Sequence, residues 1–243
     1  MQNILKEVDN LQEKINQSRP LDPKLLQRIR EYFQIGTIYS SNALEGNTLT
    51  ETETKVVLED GITIGGKPLK DHLEAIGLNN AFNLIYKYSD DKSITEGNIK
   101  DLHKLFYTGI DEENAGKYRT VQAIITGSKY TLPKPEDIQN LMTKFVSRFE
   151  ELKQTIHPVE AAAIAHKEFV FIHPFVDGNG RVARLLMNLV LLQSGYTIAI
   201  IPPILRSQYI QALEKAHKDD SDFTNLIAQC VKETQKDYLR LLA

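Results

Sequence analysis

The sequence predicts an all-α protein that carries one short β-hairpin. Three observations point there. Apolar residues recur at helical spacing along most of the chain. Capping residues and prolines stand where helices would begin. Only one stretch has β-branched residues on either side of a Gly-containing turn.

The elements follow in order. From Pro23 to about Leu44, the residues Leu25, Leu26, Ile29, Phe33, Ile35, Tyr39 and Leu44 keep helical spacing, and Gly46-Asn47 is a stop signal. Thr50-Glu51-Thr52-Glu53 reads as a capping box for a short helix that ends near Asp60-Gly61. Further helices fit 69–88, 95–108, 135–153, 157–171, 180–194, 206–217 and 221–241, with Pro135, Pro158 and Ser207 at starts. Val121-Gln122-Ala123-Ile124-Ile125, the turn Thr126-Gly127-Ser128-Lys129, and Tyr130-Thr131-Leu132-Pro133 read as the hairpin. There is no internal repeat and no long linker. The expected organisation is an N-terminal helical extension at 1–60, a helical core at 61–217 with a flap at about 117–133, and a C-terminal helix at 218–243 packed on that core.

Bulk properties exclude some functions. At 243 residues the chain can bury a substantial core. Its net charge of −3 supplies no basic field for nucleic acid, so no nucleic-acid partner is expected. No apolar run approaches the roughly 20 residues of a spanning helix, and the first residues lack a signal-peptide shape. A cytoplasmic protein without a membrane partner is the expectation. The single Cys230 lies in an apolar stretch and reads as a buried, inert thiol.

The run His173-Pro174-Phe175-Val176-Asp177-Gly178-Asn179-Gly180-Arg181-Val182-Ala183-Arg184 carries the chemistry. The apolar residues after it read as a buried helix, so the polar cluster sits at a helix N-terminus. Unpaired N–H groups and the helix dipole favour an anion there. Glycines on either side of Asn179 can turn successive N–H groups into a concave nest. Arg181 and Arg184, three apart, share one helical face. A nest, two guanidinium forks and a carboxylate able to hold a divalent ion are what a polyphosphate requires.

This run resembles the Fic family signature, His-Pro-Phe-x-Asp/Glu-Gly-Asn-Gly/Lys-Arg-x-x-Arg, at every specified position. The resemblance implies a Fic-type helical domain whose usual activity is transfer of AMP from ATP to a protein hydroxyl. By resemblance His173 is the general base and Asp177 the Mg²⁺ ligand. Gly178, Asn179 and Gly180 cradle phosphate, with Asn179 on the α-phosphate oxygens. Arg181 and Arg184 serve the β- and γ-phosphates. Phe175 is expected to anchor the loop in the core. Gly116-Lys117-Tyr118-Arg119 resembles the sequence that introduces the family's flap. The flap is expected to dock a target protein by strand pairing, and Ile125, Thr126, Gly127 and Ser128 to reach the nucleotide. Tyr209, Ile210 and His217 fall where related proteins wall the adenine.

A second motif lies far upstream. Ser41 and Glu45 are four apart, share a helical face and precede Gly46-Asn47. A carboxylate at a helix C-terminus opposes the dipole by a few tenths to about 1 kcal/mol, so Glu45 should have a cationic partner elsewhere. Ser41-x-x-x-Glu45-Gly46-Asn47 is similar to the family's inhibitory motif, Ser/Thr-x-x-x-Glu-Gly/Asn. That resemblance implies an intramolecular pair between Glu45 and Arg184 in the place of the ATP γ-phosphate.

Other readings stay open. One is a different phosphate-ester transfer, such as the kinase chemistry of Doc-like relatives, which lack the Gly180-type residue and the second arginine. Another is removal of AMP, with the glutamate orienting water. A third is a non-catalytic interaction module. The sequence leaves homo-oligomerisation open. Two further patterns are weak. Gly61-Ile62-Thr63-Ile64-Gly65-Gly66-Lys67 fits part of a P-loop, but Pro68 supplies neither hydroxyl nor N–H. His157, His166 and His173 match no metal-ligand spacing, and His166 reads as a packed core histidine.

Overall fold

The computed structural model describes residues 2–91 and 93–242. Its helices are α1 (Gln2–Gln17), α2 (Pro23–Leu44), α3 (Glu51–Glu59), α4 (Leu69–Tyr88), α5 (Glu96–Tyr107), α6 (Ile138–Thr155), α7 (Pro158–Ile172), α8 (Asn179–Gln193), α9 (Arg206–Lys215) and α10 (Ser221–Leu242). Short 3₁₀ turns at Pro135–Asp137 and Pro203–Leu205 lead into α6 and α9. Among the described residues none of these helices is long and apolar enough to cross a membrane.

The starts follow capping chemistry. Asp22 Oδ1 accepts from the N–H groups of Lys24 and Leu25 at 3.0 and 3.1 Å, and Pro23 follows at the first helical position. Thr50 and Glu53 form the expected capping box, and Thr95 and Asn98 form another on α5. The His157 ring caps α7 by accepting from Val159 N–H at 3.1 Å.

Helix α8 is the hub. It lies against α7, α4, α5 and α2. Every residue from Arg181 to Leu191 is buried, as expected of a helix apolar on nearly all sides. Phe82, Phe106, Phe169 and Phe175 on the elements around it, and Phe223 on α10, are all fully buried. Helix α10 closes the other side against α1, α7 and α9. Cys230 is buried in α10 as expected, and burial pushes its thiol up to about 12.

The hairpin expectation needs correction. Between 117 and 133 no residue is in a strand. The turn is present, with Gly127 at φ 88° and Ser128 N–H donating to Ile125 O at 3.2 Å. The two arms are joined by side chains instead. Gln122 Nε2 donates to Leu132 O at 3.1 Å and Arg119 Nη2 to Pro133 O at 2.6 Å. A two-stranded ribbon with no third strand is marginal, so β-branched residues alone did not form a ladder. The P-loop-like stretch follows α3, not a strand, and is pinned by Ile64 N–H donating to His72 Nε2 at 2.8 Å.

Candidate active site

The site is built at the junction of α7 and α8. His173 ends α7 in the left-handed conformation, at φ 51° and ψ 59°. Its Nδ1 lies 3.3 Å from Val170 O. A carbonyl can only accept, so Nδ1 carries the proton and Nε2 keeps a free lone pair. Burial pushes the ring below the ordinary imidazole range, partly opposed by the Val170 carbonyl. The half-buried His173 is therefore neutral at pH 7, in the tautomer that a base acting through Nε2 requires.

The loop from Pro174 to Gly178 is fixed by three devices. Phe175 is fully buried and stacks on His103 at 3.7 Å between ring centroids, 5° from parallel. Asn179 Oδ1 accepts from Phe175 N–H at 3.0 Å, and its Nδ2 donates to Phe175 O at 2.9 Å. His103 Nδ1 accepts from Gly116 N–H at 2.9 Å, so its Nε2 holds the proton and donates to Asp177 O at 3.1 Å. Gly178 takes φ 79°, and a Cβ there would meet the Phe106 ring at 2.7 Å. The chain can turn so tightly only with glycine at this position.

Helix α8 starts without a side-chain cap. Val182 N–H makes the first intrahelical bond, to Gly178 O at 3.0 Å. The N–H groups of Asn179, Gly180 and Arg181 have no acceptor among the described residues. They form an anion-binding turn. Beside it stands Asp177, whose side chain is 43% exposed. Its Oδ1 accepts from Gly178 N–H at 2.6 Å, while Oδ2 lies 3.7 Å from Lys70 Nζ.

Both arginines are buried. Arg181 sits over the Phe106 ring at 4.5 Å, 2.7 Å from Glu74 Oε1 and 3.4 Å from Asp177 Oδ1. The Glu74 contact is close but off the hydrogen-bonding direction, and Arg181 Nε has no partner among the described residues. Arg184 spends four of its five N–H groups on protein partners. Its Nε donates to Ser41 Oγ at 2.8 Å, Nη2 to Ser41 O at 2.9 Å and to Glu45 Oε1 at 2.7 Å, and Nη1 to Tyr209 OH at 3.2 Å.

Glu45 has the cation that its unfavourable helix position called for. Partial burial would raise its carboxyl, but the charge and hydrogen bond of Arg184, helped by Arg181, outweigh this and hold it below the usual carboxylate range. Arg206 Nε also donates to Leu44 O at 2.8 Å, neutralising the end of α2. Gly180 leaves the space that the Glu45 carboxylate fills in this pose, since a Cβ there would overlap it. Gly46 then turns the chain at φ 93°, and Asn47 Nδ2 donates to Asp71 O and to Glu74 Oε2 at 3.0 and 2.9 Å. The segment from Ser41 to Asn47 thus touches both arginines, one of them through Glu74.

The flap side is a separate groove. A cavity of about 610 Å³ lies between Ile125, Thr126, Gly127, Ser128 and residues of α7 and α9, with Ile210 and His217 in its wall. The flap is held there by Glu214, which accepts from Ser128 Oγ at 3.0 Å and Lys129 N–H at 2.8 Å. His217 is stacked between Tyr130 and Phe171, each at 3.6 Å. Tyr209 was expected beside them and is not there. It is buried, and its hydroxyl bridges Arg184 and His166 Nε2, at 3.0 Å from the latter. Asn179 likewise spends its amide on Phe175.

Several contributors were not legible. His103 and Glu74 sit in the buried stripes of α5 and α4 with no motif to mark them. In the sequence Arg119 stands out only as part of Gly116-Lys117-Tyr118-Arg119. It is buried and donates to His173 O at 2.9 Å, Val121 O at 2.8 Å and Pro133 O, clasping the flap base to the base-bearing loop. His157, His166 and His173 do not converge, and among the described residues there is no His/Cys/Asp/Glu cluster for a metal.

A helical scaffold that ends one core helix on a histidine and starts the next with a turn of unpaired N–H groups and two buried arginines defines a class of phosphate-handling domain. Comparison with known proteins agrees. A profile of the Fic/DOC family matches residues 93–191. The chain is 35% identical over 246 residues to "Protein adenylyltransferase Fic" of Nematostella vectensis, covering 98% of this chain and 56% of that protein. Two solved structures superpose closely. Fic-1 (aa134–508) from C. elegans has a TM-score of 0.90 at 30% identity, covering 99% of this chain and 72% of that one. A Fic domain containing signaling protein from Bacteroides thetaiotaomicron has a TM-score of 0.89 at 31% identity, covering 97% of each. The chain belongs to the Fic family. It spans about half the length of the curated relatives it matches.

Proposed function

We propose that this chain is a protein adenylyltransferase that moves AMP from ATP to a Ser, Thr or Tyr hydroxyl of another protein, and that Glu45 keeps it inhibited. The names of its relatives support the reaction. One observation carries the inhibition: Glu45 and Ser41 occupy the Nε and Nη2 groups that Arg184 would turn to a γ-phosphate.

The residues have the following parts. The N–H groups at 179–181 cradle phosphate, and Arg181 and Arg184 carry the β- and γ-phosphates. Asn179 acts through its backbone, since its side chain holds the loop. The base lies in the groove walled by Ile210 and His217, under the flap turn at 125–128. His173 Nε2 takes the proton of the target hydroxyl. The hydroxyl oxygen bonds to the α-phosphorus as the bond to the bridging oxygen breaks, and pyrophosphate leaves with that electron pair. The target protein docks along the flap, whose backbone groups are not paired arm to arm.

Mg²⁺ fits the residues present. Asp177 offers a hard oxygen, 43% exposed, beside the anion turn. One or two carboxylates plus substrate phosphates are the usual Mg²⁺ environment. When bound there, the ion supplies charge neutralisation between phosphate oxygens.

A second reading has one observation in its favour. Only Oε1 of Glu45 meets Arg184; its side chain is 37% exposed and no donor among the described residues reaches Oε2. A carboxylate held at one oxygen and open at the other can orient water, which suits removal of AMP from a modified protein. The test for both is one pair of assays. Glu45→Gly with α-³²P-ATP and lysate should label a protein, and wild type should release AMP from that product. Failure of Glu45→Gly to label anything, itself included, overturns the transferase reading.

A further inference from the structure

A second cavity, of about 470 Å³, opens at the far end of α8. Leu192 lines it near the helix C-terminus, while the anion turn is at the N-terminus, about 20 Å away at 1.5 Å per residue. The two sites share no residue. The volume falls within the range of about 300–1,000 Å³ usual for small-molecule sites.

The wall is apolar with a one-sided polar character. Ile29, Phe33, Leu192 and Ile198 form the body, and Phe33 stacks on Tyr238 at 6.0 Å. Arg19 and Arg30 stand at the cavity, and no Asp or Glu lines it. Among the described residues neither guanidinium has a carboxylate partner. The Arg30 guanidinium carbon lies 4.0 Å from the centre of the Tyr86 ring, and one N–H goes to Asn83 at 3.0 Å, leaving the rest of its fork unused among the described residues. The hydroxyls of Tyr86 and Tyr238 also have no protein partner among the described residues. Thr197, buried in the same wall, has an Oγ1 without any partner. Buried polar groups are rarely left so. The cavity therefore has an apolar interior, two arginines without a carboxylate partner among the described residues and hydroxyl donors, with no Asp or Glu in its lining.

We propose that this cavity binds a small amphipathic carboxylic acid, its apolar body against Phe33 and Leu192 and its carboxylate on Arg19 and Arg30. A guanidinium fork matches a carboxylate, and the apolar wall takes an acyl or aryl body. An alcohol lacks the charge, and an ammonium head meets two like charges.

The test titrates wild-type protein with decanoate, decan-1-ol and decyltrimethylammonium by calorimetry and thermal shift. Decanoate should saturate one site per chain and bind at least about tenfold tighter than the alcohol, the scale of a charge-assisted hydrogen bond. The ammonium should show no saturable binding. Arg19→Gln, at an exposed side chain, should weaken decanoate about tenfold and leave the alcohol unchanged. Arg30→Gln should act in the same direction. Equal binding of all three probes, absence of saturation by decanoate, or unaltered decanoate affinity in Arg19→Gln overturns the proposal.

Discussion

Glu45 Oε1 and Arg184 Nη2 meet at 2.7 Å across 139 positions of sequence, and Gly180 leaves the space in which they meet. A γ-phosphate on the same guanidinium face would compete with this pair. Glu45 is 37% exposed, so solvent screening holds the pair to the low end for charge-assisted contacts, about 1.5 kcal/mol or roughly tenfold in the competent population. Glu45→Gly should raise self-modification about tenfold, read by intact mass as a gain of one AMP. Arg184→Ala should not activate, and the double variant should be as inactive as Arg184→Ala alone. No gain in Glu45→Gly would return Ser41 to Asn47 to an ordinary helix end.

Gly180→Ala should act on the same pair from the other side. The added Cβ displaces the Glu45 carboxylate, a flexible group that can swing away. Its stability cost should be about 1 kcal/mol in wild type and near zero in Glu45→Gly. Denaturant midpoints of the four proteins measure the coupling. Equal costs in both backgrounds would show that the glycine serves only the helix turn.

His173→Ala should lower transfer by about 10²–10⁴-fold while ATP binding persists, because the phosphate contacts lie on α8. Burial keeps the His173 ring below the ordinary imidazole range, so it takes up its proton at lower pH than a free imidazole. The Glu45→Gly rate should be flat from pH 8 to about 6.5 and decline only below. A half-maximal rate above pH 7 would contradict the assigned tautomer and base.

Asp177→Ala should abolish Mg²⁺-dependent transfer, and EDTA should silence Glu45→Gly. Undiminished transfer without any divalent ion would remove Asp177 from that role.

His103 links stability to pH. Burial lowers its ring to about 4, against about 6.5 unfolded. Between these values the unfolded chain binds the extra proton and the folded chain does not, so stability is lost as pH falls through that window. The loss is about 3 kcal/mol on this ring. His103→Gln should be less stable at pH 7 but show a shallower decline from pH 6.5 to 4 in urea midpoints. Parallel declines would assign the effect elsewhere.

Helix positions were largely legible because caps and spacing are local. Pro23, Thr50 and Pro158 mark their starts, and α9 stops at Lys215, two residues before the expected 217. Helix α1 had a signal in Leu5, Val8 and Ile15, broken by the buried Gln12, and was read only as part of an extension. The signature and Ser41–Glu45 were legible because each is contiguous. What sequence could not supply was where side chains spend their bonds. The Asn179 amide, the Tyr209 hydroxyl and the Arg119 fork each have several chemically reasonable partners, and only packing selects among them. The β-branched stretch at 121–125 had strand character, but no third strand was available to stabilise a ladder.

The order of the two motifs along the chain matters during synthesis. Protein is made from the N-terminus, at about 5–20 residues per second. Glu45 emerges well before Arg184, the last residue of the signature. When α8 first docks, α2 is already available to cover the guanidinium. On the inhibition proposed above, the chain would complete the Arg184 side of the site only after the segment that covers it has been made.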